Sequence, residues 1–377
     1  MDELPINNAN EPGAPPIATP PVIHTPAGPF KPKRNRGWLA VLIVVLALAL
    51  GLSMIPISHY LEKLGQRGAL RRVEKPHLEE VIIEDHDSAN KIAVIPIEGI
   101  IASMSYDGLE ANMVTLIKDQ LSLAADDEEV KAVIIKVDSP GGEVLAADDI
   151  NRAITEFQQT SSKPVVASMG SLAASGGYYV SVPCRWIVAN EMTITGSIGV
   201  IMHGYNYRGL LNKVGIRPEV FKSGRFKDML SGDKADTDIQ PEERKMVQAL
   251  IDETFSRFKQ VIVEGRQRAK KLNRGAGREL SSSWEELADG RILSGKQAHE
   301  FGFVDELGDF KTAVNRAKKL TGIKNAQLIR YTPVMDISSL LRRFVKTDVQ
   351  SIKVDIGMDR MHIQAGRLYF LSNLLMP

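Results

Sequence analysis

The sequence is poor in cysteine, and its charges nearly cancel. Cys184 is the only cysteine among 377 residues, which excludes an internal disulfide bond and a cysteine-rich metal site. The 47 basic and 46 acidic side chains leave a formal net charge of +1 at pH 7, so the chain lacks the basic field of a nucleic-acid-binding protein. We therefore expect no nucleic-acid partner, and no motif calls for a cofactor or a metal ion.

Charged residues are also absent between Gly37 and Ile57, where Leu, Val, Ala and Ile dominate. At about 1.5 Å per residue, this run is long enough to cross a hydrocarbon core about 30 Å thick. A cleaved signal peptide and a buried core helix are the competing interpretations, but a long polar tail precedes the run. We predict an uncleaved transmembrane anchor over 37–57.

Basic residues cluster immediately before this run, at Lys31, Lys33, Arg34 and Arg36. By the positive-inside rule, residues 1–36 stay in the cytoplasm and everything after Ser58 lies across the membrane. Residues 1–36 are rich in Pro, Ala and Asn and predict a disordered cytoplasmic tail. The sequence thus predicts a single-pass protein of a cytoplasmic membrane.

Three further segments follow the anchor. Residues 58–90 are charged and predict a stalk or linker, although their His, Asp and Glu residues leave a metal site as an alternative. Residues 91–332 carry the folded domain. The tail 333–377 has less regular patterning, and three roles stay open for it: docking on an assembly, touching the membrane, or occupying a substrate groove as an inhibitory strand.

The folded domain alternates apolar strands with helical spacing. Strands are predicted at 91–101, 130–137, 164–168 and 186–189, and helices at 109–125, 144–159 and 240–272, with a further helix beginning at Ser175. Alternating strands and helices predict an α/β domain with a largely parallel sheet. The strands are continuously apolar, which is typical of a sheet that is covered on both faces.

Two glycine-rich turns follow neighbouring strands of this pattern. Ser139-Pro140-Gly141-Gly142 follows one strand, and Ser175-Gly176-Gly177 follows the next. Glycines allow close backbone approach and leave N–H groups free to point at a ligand. A serine hydroxyl beside convergent N–H donors suits acyl transfer, because its tetrahedral intermediate carries an oxyanion. The two turns are therefore predicted to form two sides of one oxyanion hole.

A serine nucleophile also needs a base, and the sequence has no Gly-x-Ser-x-Gly elbow around Ser175. Among seven histidines, His203 is the one plausible base. Lys227 is the other candidate, and a lysine acts as a base only when burial or nearby positive charge keeps it neutral. Lys227 by itself is also compatible with an ordinary surface lysine.

Four motifs together resemble the signal peptide peptidase A family in its short, single-repeat form. They are Val137–Gly142, Ala173–Tyr179, Thr195–Val200 and Lys222–Gly224 leading to Lys227. The resemblance spans about 91–332 in consistent order. It implies a Clp protease/crotonase-like fold, with Ser175 as nucleophile and Lys227 as general base. It also implies that Gly141 or Gly142 acts with Gly176 as the oxyanion donors.

The resemblance carries functional expectations as well. It implies a serine endopeptidase that degrades remnant signal peptides at the bacterial cytoplasmic membrane, assembles as a ring-shaped homo-oligomer, and can draw Ser175 and Lys227 from neighbouring protomers. Two alternatives stay open: an acyl-CoA hydratase or hydrolase of the crotonase type, and a catalytically silent membrane scaffold.

Overall fold

The computed structural model describes residues 78–103, 112–334 and 368–371. Within these ranges, the strands are β1 (Leu78–Glu84), β2 (Lys91–Glu98), β3 (Val130–Ser139), β4 (Gly141–Glu143), β5 (Val165–Ala173), β6 (Trp186–Ala189), β7 (Ile194–Gly196), β8 (Ile292–Ser294), β9 (Glu306–Leu307), β10 (Gln327–Pro333) and β11 (Tyr369–Leu371). The α-helices are α1 (Met113–Asp126), α2 (Val144–Ser161), α3 (Gly176–Ser181), α4 (Arg208–Lys213), α5 (Pro241–Leu272), α6 (Gly295–Glu300) and α7 (Phe310–Thr321).

Nine of the strands form one mixed sheet. Its main path runs β1-β10-β2-β3-β5-β6-β9, with β7 pairing with β5 and β8 pairing with β7. The strands from β10 to β9 along this path are parallel, and β1 is antiparallel at the edge beside β10. The predicted α/β class with a largely parallel sheet is therefore confirmed.

The central strands are apolar because both faces of the sheet are covered. Ile135 and Val137 belong to a large core that includes side chains of α1, α2 and α3, whereas Ile134 points into a second core with α7. Alternate residues of β3 thus enter opposite cores, which explains its continuous apolar run.

The helix ends follow local sequence signals. Asn112 caps α1 by accepting a hydrogen bond from the Thr115 amide, and Asp309 caps α7 by accepting one from the Thr312 amide. Gly322 ends α7 in the left-handed region, with a φ angle of 73°. These local signals fix where α1 begins and where α7 begins and ends.

The predicted elements of the central domain are present, with shifted ends. The strand predicted at 130–137 continues to Ser139, and the strand predicted at 164–168 continues to Ala173. Both extensions run into the glycine turns, where apolar residues give way to small and polar ones. The alternation of strands and helices was therefore predictable, whereas the strand ends depended on pairing between β3 and β5.

The sequence prediction of a stalk over 58–90 needs a correction. Leu78–Glu84 forms β1, which pairs antiparallel with β10, so the folded domain begins before Lys91. Most side chains of β1 are exposed, and its backbone hydrogen bonds to β10 hold it in the sheet. A strand with little burial leaves a weak periodic signal in the sequence.

The predicted anchor at 37–57 lies outside the described residues, as do the tail 1–36 and most of the segment 333–377. Among the helices that the structure describes, none combines the length and the apolar character needed to cross a membrane.

Candidate active site

Ser175 lies between the end of β5 and the start of α3. Its backbone has φ 54° and ψ −114°, a conformation that is rare for any residue other than glycine. Such a conformation costs about 1–3 kcal/mol and persists only where the surrounding structure enforces it. Here the Ser175 amide donates to the Gly196 carbonyl at 2.8 Å, and the Ala174 amide donates to the Ser139 carbonyl at 3.1 Å.

The Ser175 side chain is buried without a hydrogen-bond partner. The residue is 1% exposed, and its Oγ atom has no partner among the residues that the structure describes. A buried hydroxyl normally forms a hydrogen bond, since leaving it unsatisfied costs about 1–3 kcal/mol. The strained backbone and the unpaired hydroxyl therefore occur at the same residue.

The structure brings the two predicted glycine turns together. Ser139 pairs with Ala173 across β3 and β5, so the strands deliver both turns to one edge of the sheet. A Cβ atom added to Gly176 would lie 3.0 Å from the Gly141 Cα atom and 3.1 Å from the Gly142 nitrogen. The turns could not pack this closely with larger residues at these positions.

The amides of the two turns have different partners. The Gly141 amide donates to the Ser139 Oγ atom at 3.1 Å, which ties it into its own turn. Gly176 is the first residue of α3, and the first amides of a helix have no acceptor within the helix. Because a Cβ atom added to Gly176 would lie 3.1 Å from the Gly142 nitrogen, Gly176 and Gly142 lie close together beside Ser175.

Lys227 lies on an exposed segment between α4 and α5, and its side chain is exposed. Because the Ser175 Oγ atom has no partner among the described residues, Lys227 does not reach it within one chain. The structure therefore brings Gly141, Gly142 and Gly176 to Ser175, and it does not bring Lys227 there.

Neighbouring charges attach the Lys227 segment to the start of α5. Asp228 accepts hydrogen bonds from Lys222 at 2.7 Å and from Lys234 at 3.2 Å, and Lys234 also donates to Glu243 at 2.6 Å. The hydrogen bond from Lys222 lowers the pKa of Asp228, and the one from Lys234 lowers the pKa of Glu243. This network, rather than Lys227 itself, holds the segment in place.

The other candidates from the sequence also stand apart from the Ser175 hydroxyl. His203 is half-buried and is not within hydrogen-bond distance of it. Cys184 is fully buried, and burial raises the pKa of its thiol, which favours the unreactive protonated form. This environment is that of a structural side chain in the core.

A strand from the tail 333–377 lies across the site, a placement that the sequence had left open beside two others. β11 pairs antiparallel with β4, in the register Phe370 to Gly142 and Leu371 to Gly141. Tyr369 also exchanges two backbone hydrogen bonds with Ile201, each of 3.0 Å. The apolar character of residues 368–371 is visible in the sequence, but the sequence does not show which strand they pair with.

An aromatic cluster surrounds the Phe370 ring. Its centroid lies 4.8 Å from that of Tyr179 and 4.6 Å from that of Phe258. The Tyr179 hydroxyl donates to Asp148 on α2 at 2.7 Å, which orients the Tyr179 ring. Neither Phe258 nor Asp148 belongs to a sequence motif, so only their positions in the fold reveal them.

The arrangement at Ser175 is that of a serine hydrolase site: an available hydroxyl beside convergent backbone amides at the carboxyl ends of parallel strands. The model of peptidase family S49 matches residues 157–324, which include this serine. A protein of Synechocystis sp., provisionally named a protease, is 38% identical over 69% of this chain and 84% of its own length.

The chain is also similar to a second sequence relative and to a solved structure. An Enterococcus faecium protein, provisionally named signal peptide peptidase SppA, is 32% identical over 79% of this chain and 84% of its own length. A solved structure of the membrane-bound stomatin-specific protease 1510-N is 16% identical with a TM-score of 0.38, covering 66% of this chain and 100% of that one. The sequence similarities show that the chain belongs to peptidase family S49 and is a serine-type protease.

Proposed function

We propose that this chain is a membrane-anchored serine endopeptidase of the signal peptide peptidase type. Its substrates are cleaved signal peptides and similar extended, apolar peptides. The observation that carries the proposal is the buried, unpartnered hydroxyl of Ser175 on a strained turn beside the glycine amides. Strain and unsatisfied polar groups concentrate at functional sites, where catalysis rather than stability retains them.

In the proposed reaction, the Ser175 Oγ atom attacks the peptide carbonyl carbon and transfers its proton to a neutral Lys227. The carbonyl oxygen becomes an oxyanion that accepts hydrogen bonds from the Gly176 and Gly142 amides. Gly141 contributes by shaping the turn, since its own amide is bonded to Ser139. Lys227 then protonates the leaving amine, and water hydrolyses the ester at Ser175.

A second copy of the chain supplies Lys227 in this proposal. Residues 205–230, which include α4 and Lys227, expose eight large apolar side chains, among them Tyr205 at 75% exposure and Phe221 at 89%. The others are Tyr207, Leu210, Val214, Ile216, Val220 and Leu230. Exposed apolar surface of this kind is typical of protein interfaces. Packing it against a neighbour would bury Lys227, favour its neutral form, and build a ring-shaped homo-oligomer in a Clp protease/crotonase-like fold.

The membrane location rests on the sequence of residues 31–57, with its basic cluster and uncharged apolar run. We place the catalytic domain on the extracytoplasmic side of a bacterial cytoplasmic membrane. There, signal peptides left after protein export would reach Ser175. The related protein from Enterococcus faecium carries a name of this peptidase type, which supports the substrate class.

The test is hydrolysis of a synthetic signal peptide by the full chain in detergent. We compare the wild type with Ser175→Ala, Lys227→Ala and a control, Lys213→Ala, which removes another exposed lysine of the same region. Loss of activity in the first two variants alone, with oligomer size unchanged, would support the Ser–Lys mechanism. Hydrolysis that survives Ser175→Ala, or an inactive wild type whose Ser175 also resists an acylating probe, would overturn the proposal.

A further inference from the structure

The strand β5 contains a bulge directly before the strained turn at Ser175. Val137 on β3 pairs with Met169 on β5. Two residues later on β3, Ser139 pairs with Ala173, which lies four residues after Met169 on β5. The additional residues of β5 therefore bulge out of the pairing with β3. Bulges are common beside active sites, because they change the direction in which the following side chains point.

β5 pairs with β3 along one edge and changes its partner strand along the other. Val166–Ser168 pairs with β6, whereas Leu172 pairs with Ile194 on β7. Between these two pairings, no strand of the described chain pairs with this edge. Backbone carbonyl and amide groups at such a break need partners from side chains or water.

Two buried threonines at β7 supply such partners. The Thr193 hydroxyl donates to the Gly170 carbonyl at 2.8 Å, and the Thr195 hydroxyl donates to the Ala173 carbonyl at 2.7 Å. Thr193 is 1% exposed, and Thr195 is fully buried. A hydrogen bond is stronger in a buried site of low dielectric constant than in water. The two threonines therefore hold the bulge at both of its ends.

Asp138 holds the bulge from the β3 side. Its carboxylate accepts a hydrogen bond of 3.0 Å from the Leu172 amide. Gly170 permits the close approach of this carboxylate, because a Cβ atom added to the glycine would lie 3.1 Å from the Asp138 Cγ atom. Asp138 is exposed, so its substitution disturbs the core less than substitution of either threonine.

Thr195 has the most direct connection to the turn of Ser175. Its hydroxyl binds the carbonyl group two residues before this serine, and the next residue, Gly196, accepts a hydrogen bond of 2.8 Å from the Ser175 amide. From these contacts we infer that Thr195 is a positioning residue that forces Ser175 into its strained conformation. Thr193 and Asp138 support it by holding the bulge. The inference rests on the proposed role of Ser175 as nucleophile and deepens it.

The kinetic test removes the Thr195 hydroxyl with little change of shape. Thr195→Val should reduce kcat for peptide hydrolysis about tenfold or more and leave KM within about twofold, because a misdirected nucleophile slows the reaction without weakening peptide binding. Thr195→Ser keeps the hydroxyl and should recover most of the activity. A kcat equal to that of the wild type in folded Thr195→Val would overturn the inference.

The matched control for these variants is Gln120→Met. Gln120 is 2% exposed, and its side chain donates to the Tyr331 carbonyl at 2.8 Å on β10, which lies three strands away from β5. Gln120→Met thus also removes a buried hydrogen bond from a side chain to a strand carbonyl. It should lower the melting temperature and leave kcat unchanged. An equal loss of kcat in Gln120→Met and Thr195→Val would mean that Thr195 acts through stability alone.

A second measurement follows the backbone strain itself and does not require activity. In the wild-type background, Ser175→Gly should melt at a higher temperature than Ser175→Ala, because glycine relieves the strained backbone. In the Thr195→Val background, this difference should shrink by about half or more, since the turn is then free to relax. An unchanged difference would refute the positioning role. If the wild type cleaves no peptide, the proposed function fails, and the melting comparison still decides the role of Thr195.

Asp138 offers a further variant in case Thr195→Val does not fold. Asp138→Ala removes the acceptor of the Leu172 amide and should reduce kcat several-fold with little change in KM. Asp138→Asn keeps an oxygen acceptor and should resemble the wild type. Equal kcat values for Asp138→Ala and the wild type would show that the bulge does not position Ser175.

Discussion

The carbonyl oxygen of Ser139 accepts a hydrogen bond of 3.1 Å from the amide of Ala174. This bond joins the end of β3 to the residue that precedes Ser175. The glycine turn after β3 and the strained serine after β5 are therefore built as one unit, which backbone hydrogen bonds within the domain hold together. Donors that are already in place need no reorganisation during a reaction.

The backbone strain at Ser175 predicts that replacing this serine with glycine raises stability and abolishes activity. Ser175→Gly should raise the free energy of unfolding by about 1 kcal/mol, because glycine adopts a positive φ angle without steric cost. Ser175→Ala removes the same unsatisfied hydroxyl but keeps the backbone strain, so it should be less stable than Ser175→Gly. Both variants should lose peptide hydrolysis by at least about 10³-fold. Thermal unfolding and a peptidase assay check the two effects, and a Ser175→Gly chain less stable than Ser175→Ala would contradict the role of backbone strain.

The close contacts of Gly141 predict a loss of activity when it is enlarged. Gly141→Ala would place a methyl group against the Phe370 carbonyl and 2.6 Å from the Gly176 amide, at a φ angle of 102°. Displacing the Gly176 amide should reduce kcat by about 10²-fold or more, as expected when an oxyanion donor is lost. Gly99→Ala is the matched control, because it also has a positive φ angle but no atom within 4 Å. Similar kcat values for the two variants would show that backbone strain alone, and not the contact with the Gly176 amide, causes the loss of activity.

The buried ion pair between Arg266 and Asp305 predicts a large loss of stability when its charge balance is broken. Asp305 also accepts hydrogen bonds from the Ile187 amide at 2.9 Å and the Arg278 amide at 3.1 Å, which connects α5 to the end of the sheet. Asp305→Asn leaves the Arg266 charge buried and should cost about 3–5 kcal/mol.

Chemical denaturation measures this cost. The control is Asp289→Asn, which removes the carboxylate of an exposed pair with Arg291 and should change stability little. Equal effects of Asp305→Asn and Asp289→Asn would show that burial does not decide the cost.

The charged network beside Lys227 predicts that the stability of the folded protein depends on pH. Hydrogen bonds from Lys222 and Lys234 hold the pKa values of Asp228 and Glu243, respectively, below the ordinary carboxyl range. Their stabilisation is therefore present above the unfolded carboxyl values of about 4 and is lost as the pH falls through the lower folded values.

Lys234→Met tests this dependence. The variant should have a lower melting temperature than the wild type at neutral pH, and the difference should shrink in acid. Lys213→Met, at an exposed position, should resemble the wild type at every pH. A melting-temperature difference for Lys234→Met that grows on acidification would contradict the predicted direction of the pH dependence.

The separation of Ser175 from Lys227 within one chain predicts rescue in mixed assemblies. Ser175→Ala and Lys227→Ala chains, each inactive alone, should regain activity when they are assembled together, on the order of a quarter of the wild type for random mixing. A chain that carries both substitutions should rescue neither partner. Failure of rescue in verified mixed oligomers would mean that Lys227 acts on Ser175 of its own chain.

The sequence by itself determined the elements whose signals are local. Apolar runs, helical spacing and glycine turns predicted the central strands and helices, the α/β class, and the meeting of Gly141, Gly142 and Gly176 beside Ser175. These signals suffice because parallel strands bring their carboxyl ends to one edge of a sheet, and glycine is required wherever backbones meet closely. The Ser–Lys pair and the anchor at 37–57 remain predictions.

The tertiary structure alone decided the contacts between distant segments. The pairing of β1 with β10, the pairing of β11 with β4, and the stacking of Phe370 on Tyr179 join parts of the chain that have no common local pattern. A short strand with exposed side chains, or three apolar residues near the end of the chain, acquires a role only through the edge to which it binds. The physical reason is that a segment pairs with a strand edge whose backbone N–H and C=O groups are unpaired. Only the folding of the whole chain determines which edges lie beside that segment.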